Sequence, residues 1–127
     1  MKQSEIYMKC RSVLNGMYSS ELDPKQGAVQ LIELLSENGR RLRRNDHRLI
    51  RINFLHSDKS DYLNNSSVPL AVGFVYMKPD NTPTQDIYLV HPDGFIDYCR
   101  NDRELAQKYP DLVGMHKKEL SIVGEQG

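Results

Sequence analysis

The chain has 127 residues, with 17 basic and 17 acidic side chains and a net charge of +0, which fits one soluble globular domain over residues 1–127. Nucleic-acid-binding proteins usually have a strongly positive net charge, so the neutral net charge of this chain argues against that class. No apolar run is long enough to cross a bilayer, and the N-terminal stretch MKQSEIYMK lacks the apolar segment of a secretory signal. Cys10 and Cys99 sit among apolar neighbours, as buried free thiols of a cytoplasmic protein do.

Two amphipathic helices are predicted at the N-terminus. Apolar side chains recur at helical spacing over residues 4–18, which predicts the first helix. Asp23 and Pro24 are a typical N-cap and first helical residue, and the apolar stripe after them predicts a second helix that stops at Asn38-Gly39. We expect four residues to be buried between this helix and a central strand: Leu31, Leu35, Val72 and Phe74.

Four strands follow, joined as an antiparallel meander. Residues 48–55 alternate apolar and polar side chains, whereas residues 68–77 are apolar on both faces, which indicates a central strand. Gly73 inside that strand indicates a bulge or a close contact. Residues 86–90 and 95–99 flank the sequence His-Pro-Asp-Gly, which is typical of a tight hairpin turn.

The last third of the chain predicts further helices. Asn101 and Glu104 form a capping-box pattern at the start of one helix, and residues 111–120 predict a second, short one. Residues 78–85, between the second and third strands, are expected to form a mobile loop. The order of elements predicts an α+β fold with two N-terminal helices, a four-stranded antiparallel meander and one or two C-terminal helices, all packed on one face of the sheet.

The stretch GRRLRRNDHRLIR at residues 39–51 is the most unusual feature of the sequence. Residues 40–59 carry seven basic and two acidic side chains. A meander would bring basic residues from distant parts of the chain to the same end of the sheet, which we call the basic end. The planar guanidinium group binds carboxylate and phosphate through two hydrogen bonds, so we predict a partner- or anion-binding surface there. Its members are Arg40, Arg41, Arg43, Arg44, Arg48, Lys78, Arg100 and Arg103.

A structural role is the alternative for these arginines. Cations near the C-terminus of a helix complement its dipole and need no ligand to explain them. Four acidic residues are expected at the same end, where they could neutralise the arginines: Asp46, Asp80, Asp86 and Asp102.

Candidates for a metal or acid–base site lie at the opposite end of the sheet. His56 and Asp58 follow the first strand, and His91 and Asp93 follow the third. One strand separates the two pairs, so about 10 Å lies between them, which is wide for shared ligation. We therefore expect no metal ion and no cofactor, with each aspartate serving its own turn.

The sequence favours a non-enzymatic role, because it contains no Ser-His-Asp constellation, Cys-x-x-Cys pair or phosphate-binding glycine loop. The first hypothesis is a small interaction protein, an adaptor or inhibitor, that binds an acidic protein surface or assembles as a homodimer. The alternative is an RNA- or nucleotide-directed protein, such as a small ribonuclease, with arginines on phosphate and His47 or His91 for acid–base work. No membrane partner is expected.

Overall fold

The computed structural model describes residues 3–36, 47–56, 69–110 and 116–122. Within these residues the chain forms three helices and one five-stranded antiparallel sheet, which is an α+β fold. None of these three helices is long and apolar enough to cross a membrane. In chain order the elements are α1 (Gln3–Tyr18), α2 (Pro24–Ser36), β1 (Arg48–His56), β2 (Leu70–Met77), β3 (Pro83–Val90), β4 (Ile96–Cys99), α3 (Asp102–Lys108) and β5 (His116–Ser121).

The two N-terminal helices form where the apolar periodicity predicts them. Asp23 caps α2, since its Oδ2 accepts hydrogen bonds from the backbone N–H groups of Lys25 at 3.1 Å and Gln26 at 3.3 Å. These bonds satisfy two of the donors that the first turn of a helix leaves unpaired. The helices approach each other closely at Gly27, where a Cβ atom would collide with the side chain of Met17. The predicted stop of α2 at residues 38–39 lies outside the described part of the chain.

The sheet has the strand order β4-β3-β2-β1-β5, and each neighbouring pair is antiparallel. β2 is central, as its apolar sequence predicts, and all of its residues except the last are buried. Arg48 lies opposite Met77, and Met77 lies opposite Pro83. The start of β1, the end of β2 and the start of β3 therefore meet at one end of the sheet.

The predicted short helix over residues 111–120 is wrong. Residues 116–121 form β5 instead, which pairs in regular register with residues 51–56 of β1. The backbone N–H of Ile122 continues the pairing with a hydrogen bond to the carbonyl of Ile50 at 2.8 Å. Lysine and glutamate in this segment favour helix, but a four-stranded meander would leave one side of β1 without backbone partners. Pairing with β5 satisfies those groups, so the sheet has five strands rather than four.

The connection between β2 and β3 is shorter than the predicted loop over residues 78–85. Lys78 donates its backbone N–H to the carbonyl of Thr82 at 2.9 Å, and β3 begins at Pro83. Asn81 closes the turn with a φ of 67°, a left-handed conformation that asparagine tolerates. Proline can begin a strand because the first residue need not donate to the ladder.

The predicted His-Pro-Asp-Gly turn between β3 and β4 is confirmed. The backbone N–H of His91 donates to the carbonyl of Phe95 at 2.9 Å, and Gly94 donates to His91 at 2.8 Å. Gly94 has a φ of 93°, which a residue without a Cβ atom adopts readily.

Helices cover both faces of the sheet, whereas the sequence predicts all of them on one face. α1 and α2 form the larger core with one face, and α3 packs on the other through Leu105. The sheet residues of the second core alternate along β2 and β3 with those of the first, as opposite faces require; they include Ala71, Ile87, Leu89 and Cys99. The four residues predicted to be buried are at most 1% exposed and belong to the larger core: Leu31, Leu35, Val72 and Phe74.

Candidate functional site

The basic end contains residues from three separate parts of the chain. Arg48 opens β1 opposite Met77, so it lies next to Lys78, which follows β2. Arg100 and Arg103 follow β4, which is three strands away from β1 in the sheet, a span of about 14 Å at the usual strand spacing. The register therefore places Lys78 one residue beyond the partner of Arg48, whereas β4 ends at Cys99 opposite Ile87, near the middle of β3, so Arg100 and Arg103 lie short of that end. The remaining predicted members, Arg40, Arg41, Arg43 and Arg44, lie outside the described residues.

Two of these cations are both exposed and free of ion pairs within the described ranges. Arg48 and Arg103 are exposed, and neither forms a salt bridge there. Arg100 pairs with Glu104, with 3.1 Å between Nε and Oε2, but its side chain stays 77% exposed. A surface pair of this kind contributes little to stability, so Arg100 can exchange Glu104 for another anion at little cost.

The acidic residues that were expected to neutralise the arginines have other partners. Asp80 accepts hydrogen bonds from the hydroxyl of Thr82 at 2.6 Å and from its backbone N–H at 3.1 Å. These bonds, with the charge of Lys78, hold the pKa of Asp80 below its ordinary value. Asp86 is buried and accepts a hydrogen bond from the hydroxyl of Tyr98 at 2.7 Å.

The third of these acids, Asp102, accepts a hydrogen bond from the side-chain amide of Gln85 at 3.2 Å. Asp46 lies outside the described residues. Asp80, Asp86 and Asp102 thus each hold a neutral donor.

The start of α3 is capped as predicted, but only one half of the capping box forms. Asn101 accepts the backbone N–H of Glu104 at 2.9 Å. The carboxylate of Glu104 faces Arg100 instead of Asn101. It accepts hydrogen bonds from the Nε and from the backbone N–H of Arg100. The hydrogen bond from Arg100 is the main cause that lowers the pKa of Glu104.

A polar cluster that the sequence did not predict joins α3 to the β3–β4 hairpin. The hydroxyl of Tyr109 donates to Oδ2 of Asp97 at 2.7 Å and lies 3.1 Å from Nε2 of His91. Since the hydroxyl proton goes to Asp97, His91 must donate from Nε2. Lys108 reaches the other carboxylate oxygen of Asp97 at 3.4 Å. The rings of His91 and Tyr109 also pack with 5.8 Å between their centroids.

The cluster favours a protonated Tyr109 and an ionised Asp97. Burial, followed by the hydrogen bond to the Asp97 carboxylate, raises the pKa of Tyr109 above its ordinary value. Burial opposes the ionisation of Asp97, but the bonds from Tyr109 and the backbone of Tyr98, together with Lys108, hold the pKa of Asp97 below its ordinary value. A tyrosine that keeps its proton is a poor base and a poor nucleophile. The cluster therefore fixes α3 on the sheet.

One signal in the sequence could have found Tyr109. It lies four residues after Leu105, which places the two side chains on the same face of α3. Leu105 is buried in the second core, and Tyr109 packs against that core. A buried tyrosine needs a hydrogen-bond partner, but Asp97 lies on β4 and His91 in the turn after β3, and no local pattern names them.

Of the predicted metal candidates, only His91 and Asp93 have side chains within the described part of the chain. His91 is bonded to Tyr109, and Asp93 accepts the backbone N–H of Phe95 at 2.9 Å within its own turn. The side chain of His56 and all of Asp58 lie outside the described part. In the part of the chain that can be described, no three histidine, cysteine or carboxylate side chains are grouped to hold a metal ion.

The two cysteines are buried and free, as the sequence predicts. Burial raises the pKa of the Cys10 thiol to about 12. Burial is also the main cause that raises the pKa of Cys99. Because the thiolate is the reactive form, neither residue is suited to nucleophilic chemistry.

An open groove of about 340 Å³ runs along the outer side of the two N-terminal helices. Its walls mix both charges with small apolar areas; they are Lys9, Ser12, Val13, Gln30, Glu33 and Leu34. Binding pockets for small ligands are usually lined mainly by apolar and aromatic side chains. The groove lacks that character.

No protein-family model matches the chain, and searches of curated proteins and of solved structures find no match either. A function for the chain rests on the residues and contacts described above.

Proposed function

We propose that this chain is a small cytoplasmic protein-interaction module, an adaptor or inhibitor, that binds an acidic protein surface through the basic end. The observation that carries the proposal is that arginines at the basic end are not neutralised by the acidic residues near them. Arg48 and Arg103 are exposed without an ion pair in the described ranges, while Asp80 and Asp102 accept from neutral donors. Exposed guanidinium groups that are not neutralised internally are available to a carboxylate on a partner.

The balance of the whole chain supports a protein partner over a polyanion. Net charge is +0, with 17 basic and 17 acidic side chains. Nucleic-acid binding depends on neutralising many phosphates, which favours a general positive excess. A local basic surface on a neutral protein attracts an acidic patch of matching size on a partner protein. The same surface attracts a long polyanion less than a generally basic protein would.

A cytoplasmic setting and a self-associating form belong to the same proposal. Two free buried thiols suit a reducing compartment. The module would act as a monomer or as a homodimer.

The alternative is an RNA-directed protein or small ribonuclease that uses the same arginines on phosphate. His91 is one of the two candidate acid–base groups of this alternative, but its Nε2 is hydrogen-bonded to the hydroxyl of Tyr109 at 3.1 Å. His47 is partly exposed and stands just before β1. No contact in the described part of the chain favours this alternative.

A pair of matched probes separates the two functions. Fluorescence anisotropy would compare labelled poly-L-glutamate with single-stranded RNA of equal length at low and high salt. We expect the protein to bind poly-L-glutamate at low salt, to release it at high salt and to bind RNA more weakly. Tighter binding of RNA, or its cleavage, would establish the alternative, and no binding of poly-L-glutamate at low salt would overturn the proposal.

A further inference from the structure

A bulge in β1 places two arginines on the same face of the sheet. Arg48 pairs with Met77 and Arg51 pairs with Val75, so Ile50 has no partner on β2 between them. Met77 and Val75 are two residues apart on β2 and therefore share a face, and directly opposed residues occupy that face as well. In a regular strand two residues at this odd spacing would lie on opposite faces, so the bulge is what brings the two guanidinium groups to one side.

Arg51 carries a charge that no acidic side chain of the described ranges neutralises. The side chain is half-buried, its Nε is buried without a hydrogen-bond acceptor, and it forms no salt bridge in those ranges. Moving a charge out of water without a counter-ion costs free energy, which a bound anion would offset. Arg48 on the same face is exposed, so an anion can approach the pair from solvent.

Asn53 supplies an unsatisfied acceptor beside the two cations. It lies two residues after Arg51 on β1, so the two side chains share a face. Its Nδ2 donates to Oε1 of Gln85 at 2.9 Å, but its Oδ1 is buried and accepts no hydrogen bond within the described residues. Buried polar side-chain atoms nearly always have a hydrogen-bond partner. A ligand that matches this face therefore carries an N–H or O–H group next to its negative charge.

We propose that Arg48, Arg51 and Asn53 form a subsite that receives a phosphoserine side chain of the partner protein. This subsite rests on the proposed function, in which the basic end binds a protein. A phosphomonoester carries a charge of about −1.5 to −2 at pH 7 and three acceptor oxygens, which suits two guanidinium groups, whereas a carboxylate matches only one of them. The serine side chain is short, so the backbone N–H of the phosphorylated residue lies close enough to its phosphate to donate to Oδ1 of Asn53.

Two labelled peptides test the subsite by fluorescence anisotropy at pH 7.5. They share one acidic sequence and differ only at the central residue, which is phosphoserine in the first and glutamate in the second. We expect the wild-type chain to bind the phosphoserine peptide about tenfold more tightly or better. Arg51→Gln and Arg48→Gln should each lose most of that preference. Lys25→Gln, which removes an exposed charge from α2, should keep it.

A third peptide tests the role of Asn53 on the wild-type chain, so the result does not depend on the folding of a variant. Methylation of the backbone nitrogen of the phosphoserine removes the N–H group and should weaken binding about tenfold. Equal affinity for the methylated and unmethylated peptides, or a full preference for phosphoserine in Arg51→Gln, would overturn the subsite.

The same titrations separate the subsite from the proposed function. Equal binding of the phosphoserine and glutamate peptides by the wild-type chain would overturn the subsite and leave the binding of acidic surfaces intact. Binding of the phosphoserine peptide alone, lost in Arg51→Gln, would support the subsite and contradict a general preference for acidic surfaces. Tighter binding of single-stranded RNA than of the phosphoserine peptide would overturn the subsite, because it would show a preference for phosphodiesters.

Discussion

Asn53 on β1 donates its side-chain amide to Oε1 of Gln85 on β3, at 2.9 Å, across the intervening strand β2. The bond passes over Gly73, where a Cβ atom would lie 3.0 Å from that same oxygen. Of the two roles that the sequence predicts for Gly73, the close contact is the one the structure shows. The residue keeps its regular partners on both sides, Asn53 and Ile87.

Gly73→Ala should therefore destabilise the protein by displacing the amide of Gln85. Asn53 is only 3% exposed, and a buried donor without a partner costs about 1–3 kcal/mol. Urea denaturation gives the free energy of unfolding. Gln85→Ala is the comparison variant, since it loses the same bond, together with the exposed bond to Asp102, without adding a Cβ atom. In the double variant Gly73→Ala/Gln85→Ala, the loss in free energy of unfolding should be smaller than the sum of the two single losses. Strictly additive losses would contradict a collision between a Cβ atom at position 73 and the side chain of Gln85.

Gly94→Val should destabilise the fold by about 1 kcal/mol or more, because a φ of 93° strains a β-branched residue. Asn81→Gly is the control, since Asn81 already adopts a positive φ of 67° in the neighbouring hairpin and glycine tolerates it. Thermal melts of both variants decide the matter. An unchanged Tm for Gly94→Val would contradict the requirement for a positive φ at position 94.

Leu35→Ala should cost roughly 2–5 kcal/mol, because Leu35 is 0% exposed in the larger core and its truncation leaves a cavity. Val29 lies on the same helix but is 50% exposed. Val29→Ala should change the free energy of unfolding by less than about 0.5 kcal/mol. Equal losses for the two variants would mean that α2 packs through a different face.

Tyr109→Phe should destabilise the protein by about 1–3 kcal/mol, since Asp97 and His91 both lose the hydroxyl. The loss should depend on pH. The pKa of Asp97 is lowered in the folded state, so its ionised form stabilises the fold above its ordinary value of about 3.9, and this stabilisation disappears as the pH falls through the lowered value. The Tm difference between wild type and Tyr109→Phe should then narrow from pH 7 to pH 2; a constant difference would contradict the assignment.

Local signals account for much of the fold. Asp23 and Asn101 cap their helices through short-range hydrogen bonds that the sequence pattern names. Gly94 marks its turn because few other residues adopt that backbone conformation. The central strand β2 follows from its unbroken apolar run.

Long-range pairing explains what the sequence missed. The residues of β5 have helical propensity, and only the unpaired side of β1, about 60 residues earlier in the chain, makes them a strand. The position of α3 on the opposite face depends on Leu105 meeting a second apolar row of the sheet. At the basic end the sequence predicts that Arg48 and Lys78 meet, but it does not show that Asp80 and Asp102 accept from neutral donors.

The most direct test of the basic end is the rate of association with poly-L-glutamate after charge reversal. The test variant is Arg48→Glu with Arg103→Glu, and the control is Lys9→Glu with Lys25→Glu, which changes the net charge equally through exposed residues of α1 and α2. At low ionic strength we expect the test variant to associate about tenfold more slowly or worse than wild type, with the difference shrinking as salt rises. The control should keep most of the wild-type rate. Equal rates for the two double variants, or a test variant as fast as wild type, would contradict the claim that this end of the sheet binds the partner.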